Sequence, residues 1–155
     1  MQGTLVMLHG MTGTSDKMLP LANKLVPDGW EILCPEAIIP HPTRGGFAWW
    51  LRDEFDDHSG PSDPLDEKSM KQAKDSVKRV IKEMPEGPLI VGGFSQGGAI
   101  ASMMLEHSIQ DRIVGLVLIG TKTINPDGLI SAVSKIWPRP VVWMHGEKDH
   151  LVPFS

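Results

Sequence analysis

Leu89-Ile90-Val91-Gly92-Gly93-Phe94-Ser95-Gln96-Gly97-Gly98 decides how this chain folds. Leu89-Ile90-Val91 is a short apolar run, and Gly98 to His107 reads as a helix. Between them, Gly93-Phe94-Ser95-Gln96-Gly97 fits the G-x-S-x-G nucleophile elbow, a sharp strand-to-helix turn that lifts a serine hydroxyl above a sheet. Glycines suit both flanks, because the turn needs a strained backbone and the helix passes close to neighbouring strands. The turn also aims the first helix amides, including that of Gln96, at the oxyanion formed when a carbonyl is attacked. The spacing is not that of a phosphate cradle. No Lys-Ser/Thr pair follows the glycines, and the dinucleotide fingerprint is absent.

Outward from the elbow, strands and helices alternate. Thr4–His9, Trp30–Cys34, Leu89–Phe94, Ile113–Ile119 and Val141–His145 read as strands. They are apolar without alternation, as expected when helices cover both faces of a sheet. Asp16–Val26, Asp66–Met84, Gln96–His107 and Asp127–Trp137 read as helices. In the second of these, Met70, Ala73, Val77, Val80, Ile81 and Met84 share one face, and Pro85 and Gly87 end it. Residues 35–64 are rich in proline, glycine and acid and read as irregular. The fold class is α/β, a doubly wound and mainly parallel sheet of about five strands.

Composition sets mild bounds. A chain of 155 residues is one domain in size. Net charge is −4 with no Lys/Arg block, which argues against nucleic acid or an anionic membrane surface as partner. The lone Cys34 has no internal disulfide partner and reads as a small core residue, so a reducing, cytoplasmic setting is the default. No run approaches transmembrane length, and the N-terminus lacks a basic-then-apolar leader.

Three further segments join the elbow at the carboxyl end of a parallel sheet. Leu8-His9-Gly10-Met11 can supply a second oxyanion donor, and the Met11 amide is the favoured one. His9 is expected to brace that loop through hydrogen bonds. His145 to Pro153 follows the last strand and carries Glu147 and Asp149, either of which could orient a histidine. Phe47, Trp49 and Trp50 either wall an acyl pocket or cover the core. Asp53, Glu54, Asp56 and Asp57 read as a solvated rim.

Leu8-His9-Gly10-Met11, Trp49-Trp50, Gly92 to Ala99 and His145-Gly146 through Asp149 to Val152-Pro153 together resemble the carboxylesterase, phospholipase and acyl-protein thioesterase group of serine α/β-hydrolases. The resemblance covers almost the whole chain. It implies Ser95 as nucleophile, Asp149 as the triad acid, and the Met11 and Gln96 amides as oxyanion hole. It implies small esters or acyl thioesters as substrates, and no metal or cofactor. In one respect the chain departs from the group, whose catalytic histidine lies beyond one further strand. The chain ends at Ser155, so residues 1–155 are expected to form a single domain without that strand, its histidine loop and a C-terminal helix. His9, His107, His145 and His150 are poorly placed in the sequence to replace it, and His41 and His58 could serve only if their loop folds back over Ser95. Otherwise the base is expected from a continuation, from a second chain, or from nowhere. In the last case the chain is a non-catalytic acyl-binding protein. Without a further strand, Val141-Val142-Trp143-Met144 becomes an apolar edge open to self-association.

Overall fold

The computed structural model describes residues 2–52, 64–136 and 138–152. Its centre is a five-stranded parallel sheet of β1 (Thr4–Leu8), β2 (Glu31–Leu33), β5 (Leu89–Phe94), β6 (Ile113–Ile119) and β7 (Val141–Met144), in the order β2-β1-β5-β6-β7. Two-residue strands β3 (Ile39–Pro40) and β4 (Phe47–Ala48) form a separate antiparallel pair. The helices are α1 (Ser15–Leu25), α2 (Glu67–Lys82), α3 (Gln96–Met103) and α4 (Pro126–Val133), with two 3-10 turns between α3 and β6.

The unbroken apolar strands are explained by what covers them. In β1, Leu5 and Met7 pack with Met18 and Ala22 of α1, while Val6 and Leu8 pack with Val77 and Val80 of α2 and Ile100 of α3. Successive side chains point to opposite faces, so a strand covered on both sides needs an apolar residue at every position. Asp66 caps α2 by accepting the Ser69 N–H at 2.8 Å.

Parallel register gathers the strand ends that matter. Leu8 of β1 pairs with Gly93 of β5, Phe94 with Ile119 of β6, and Ile119 with Met144 of β7. The loops carrying Met11, Ser95, Thr121 and Asp149 therefore leave the sheet at one end. β7 is one of the two edge strands of the described sheet, and Val141, Val142, Trp143 and Met144 are each between 43% and 59% exposed.

Residues 35–52 depart from the irregular expectation through the β3–β4 pair. Main-chain bonds from Thr12 N–H to Phe47 O and from Phe47 N–H to Gly13 O tie β4 to the loop after β1. The last helix is also shorter than expected, ending at Val133 rather than reaching residue 137, which lies outside the described residues.

Candidate active site

Ser95 stands between β5 and α3 with φ 52° and ψ −119°. That is the conformation of the first central residue of a type II′ turn, which favours glycine. Both main-chain groups of Ser95 are anchored. Its N–H donates to Ile119 O at 3.0 Å, and its carbonyl accepts the Thr121 hydroxyl at 2.6 Å and the Gly98 N–H at 3.0 Å. Such over-determination is what sustains a strained residue. A methyl group on Gly97 would collide with the Leu8 carbonyl oxygen and lie 2.5 Å from that of His9. The helix thus approaches β1 as closely as a glycine allows.

Ser95, Gln96, Met11 and Trp50 line one cavity of about 380 Å³. The Gln96 N–H opens α3 and has no acceptor within it, as for any first-turn amide. Among the described residues the Met11 N–H has none either, while Thr12 and Gly13 on its far side are bonded to Phe47 and Gly10. Thr12 joins Ser95 as a non-glycine residue at positive φ among the described residues, with φ 66°. Two donors without acceptors and a serine hydroxyl therefore share one cavity. An oxyanion generated at Ser95 could be held by such a pair.

His9 is fully engaged in the scaffold. Its Nε2 accepts the Ala37 N–H at 3.0 Å, which leaves the proton on Nδ1, donated to Gly10 O at 2.7 Å. Burial lowers its pKa, opposed by the bond to Gly10. The neutral ring braces the Met11 loop, as the sequence suggested. Trp49 and Trp50 part company. Trp49 is fully buried, donates Nε1–H to His9 O at 2.7 Å and belongs to the core; it is not among the described residues lining the Ser95 cavity. Trp50 reaches the cavity. The Gln96 carboxamide links the pair to the elbow: Oε1 accepts the Trp49 N–H at 3.1 Å, and Nε2 donates to Trp50 O at 3.0 Å.

Asp149 lies in the turn after β7. Its Oδ1 accepts the N–H groups of Leu151 and Val152, each at 2.9 Å. The Val152 N–H, followed by that of Leu151, holds its pKa below the ordinary carboxylate value against some desolvation. Leu151 and Val152 reach the cavity although Asp149 itself does not. Its Oδ2 is 3.9 Å from His145 Nε2. Glu147 is exposed.

The described histidines are placed as follows. His145 donates Nε2–H to Val152 O at 2.7 Å. His41 lines the cavity, but its Nδ1 accepts the N–H groups of Thr43 and Arg44. His107 closes a 3-10 turn beyond the far end of α3, and His150 is exposed. Among the described residues no histidine hydrogen-bonds the Ser95 hydroxyl. His58 and the acids Asp53, Glu54, Asp56 and Asp57 lie outside the described residues. No three His, Cys, Asp or Glu side chains converge as a metal site among the described residues, and no helix there is long and apolar enough to cross a membrane.

The whole chain, residues 1–155, matches the phospholipase/carboxylesterase family. It belongs to that family. An acyl-protein thioesterase 1 of Cryptococcus neoformans is 29% identical over 97% of this chain and 68% of its own length. A Dictyostelium discoideum acyl-protein thioesterase 1 homologue is 25% identical over 79% of this chain and 56% of its own. Among solved structures, esterase PE8 superposes with a TM-score of 0.70 at 18% identity, over 98% of this chain and 72% of its own. Acyl-protein thioesterase 2 of Zea mays superposes with 0.68 at 20% identity, over 99% and 74%. These likenesses establish the α/β-hydrolase sheet.

Two supports of this family member's site escaped the sequence reading. The Thr121 hydroxyl on the Ser95 carbonyl follows β6 by two residues, and no pattern marks it. The side-chain role of Gln96 was hidden behind its main-chain one.

Proposed function

We propose that this chain is a serine hydrolase of carboxylic esters or acyl thioesters. One observation carries the reading: a backbone-strained Ser95 shares a cavity with the acceptor-free N–H groups of Met11 and Gln96. In this reading Ser95 Oγ attacks the substrate carbonyl carbon, and the carbonyl oxygen becomes an oxyanion facing the two amides. The tetrahedral species collapses, the alcohol or thiol leaves with a proton, and the acyl group stays on Oγ. Water then attacks the same carbon and restores the serine. The Oγ proton passes to a histidine that the described residues do not supply; Oδ2 of Asp149 could orient it, since the acid's Oδ1 is occupied by its own turn. Trp50 walls the acyl side. The reading needs no cofactor and suits a reducing compartment, given the single free Cys34.

A second reading is an acyl-binding protein without turnover. It is favoured by the absence of a histidine on the Ser95 hydroxyl among the described residues. Loss of a triad histidine costs about 10⁶ in kcat, so the two readings separate cleanly. The test combines labelling by a fluorophosphonate with turnover of a p-nitrophenyl ester. Rapid labelling and turnover, both abolished in Ser95→Ala, support the hydrolase. Neither in the unaltered chain leaves only binding.

A further inference from the structure

The two amides proposed to hold the oxyanion share a construction. In a trans peptide the carbonyl and the following N–H lie in one plane and point opposite ways. Whatever holds the carbonyl therefore aims the N–H. Gly10 O, in the peptide of the Met11 N–H, accepts His9 Nδ1–H at 2.7 Å and the Gly13 N–H at 3.0 Å. Ser95 O, in the peptide of the Gln96 N–H, accepts the Thr121 hydroxyl at 2.6 Å and the Gly98 N–H at 3.0 Å. Each donor peptide is thus gripped at its carbonyl by a side chain as well as by the main chain.

At Ser95 the grip from outside the helix is Thr121. The amides of Gly98 and Ala99, at 3.0 and 3.3 Å, draw the Ser95 carbonyl along the axis of α3. Its tilt across that axis is left to Thr121. The hydroxyl has one proton, and the next acceptor, Lys122 O, stands at 3.5 Å, so the proton belongs to Ser95 O. The side chain is buried and β-branched, hence stiff at χ1. It fills the space over Gly98, where a methyl group would lie 2.6 Å from Thr121 Cγ2 and 2.8 Å from its Oγ1. Gly120, at φ 52°, turns the chain so that the end of β6 meets Ser95 twice: Ile119 O takes its N–H and Thr121 holds its carbonyl.

We infer that Thr121 is a positioning residue whose hydroxyl sets the direction of the Gln96 N–H towards the oxyanion. The effect on catalysis rests on the hydrolase reading; the orientation of the N–H does not. Thr121 itself exchanges no proton with the substrate.

T121V keeps the shape and removes the donor, T121A repeats the deletion with a smaller side chain in case T121V does not fold, and T121S keeps the donor. In the first two, Ser95 O still has both helix amides, so no carbonyl is orphaned. With p-nitrophenyl acetate, the donor-free variants should lose kcat about ten- to a hundredfold with KM little changed. That is less than the loss of about 10²–10³ for a deleted oxyanion donor. T121S should recover most of it. NMR of aligned samples reads the Gln96 N–H vector through its residual dipolar coupling. In the donor-free variants the vector should turn, or lose order from an S² of about 0.85, and in T121S it should return. Unchanged kcat in T121V and T121A overturns the inference and leaves the hydrolase reading standing. A fall in kcat with the Gln96 vector unmoved also overturns it, because Thr121 then acts by another route. If the unaltered chain cleaves no ester, the hydrolase reading fails instead, and the vector alone decides. Turned without the hydroxyl and restored in T121S, it supports the inference; unmoved, it overturns it.

Discussion

Replacing Ser95 with glycine should give a more stable protein than replacing it with alanine, and on the proposed reading neither variant reacts. Ser95 holds φ 52° and ψ −119°, pinned at its N–H by Ile119 and at its carbonyl by Thr121 and Gly98. A non-glycine residue in such a conformation stores about 1–3 kcal/mol. Glycine releases that strain but has more freedom to lose on folding, about 0.5–1 kcal/mol relative to alanine. Alanine is the proper reference, since it keeps the Cβ and hence the strain. The Ser95 hydroxyl has no hydrogen bond among the described residues, so alanine sacrifices no contact. The difference leaves Ser95→Gly about 1 kcal/mol more stable than Ser95→Ala. For a chain of this size that raises Tm by about 2–4 °C. Urea and thermal unfolding of the two variants, side by side, measure it. Both variants should be blank to fluorophosphonate. A glycine variant equal to or weaker than the alanine one would refute the claim that the elbow is strained.

Gly97→Ala should destabilise by about 3 kcal/mol or more, at the upper end for overpacking, because its methyl meets main-chain carbonyls that cannot rotate away; chemical denaturation reads it. His9 is held neutral, its pKa lowered from 6.5 chiefly by burial. Its contribution to stability is therefore complete above that value and declines as pH falls from there towards the folded value. Unfolding free energies measured between neutral pH and about pH 5 should fall more steeply for the unaltered chain than for His9→Gln. If no histidine serves Ser95, added imidazole should raise p-nitrophenyl ester turnover with saturation, and leave Ser95→Ala unmoved. The exposed β7 edge should pair with another chain: light scattering would show a concentration-dependent dimer in the unaltered protein, reduced in V142K.

Much of this architecture was written locally. The five sheet strands and the elbow are legible because each is a continuous apolar run or a glycine-spaced turn, and because a sheet covered on both faces leaves no polar alternation to confuse them. The β3–β4 pair was not legible. Ile39–Pro40 and Phe47–Ala48 are too short to show a period, and they form because β4 bonds to the distant loop at Thr12 and Gly13. The bracing role of His9 could be guessed from its place beside the elbow, but its partner Ala37 is 28 residues away. Trp49 and Trp50 are indistinguishable by composition. Both join the core, yet only Trp50 also lines the Ser95 cavity, and the Gln96 clasp on their main chain reaches across 47 residues. The tautomer of His41 likewise depends on a turn that only the folded chain reveals.

The Gln96 clasp also bears on how such a protein could change its diet. One residue opens α3 beside Ser95 and grips the backbone on either side of the peptide joining Trp49 to Trp50. The grip is on main-chain atoms, so it is blind to what side chain stands at position 50. A change of side chain there leaves both hydrogen bonds available, although Trp50 is itself buried in the core and its truncation costs packing. On the proposed reading, conservative exchanges at position 50 would alter selectivity while the elbow stays in place.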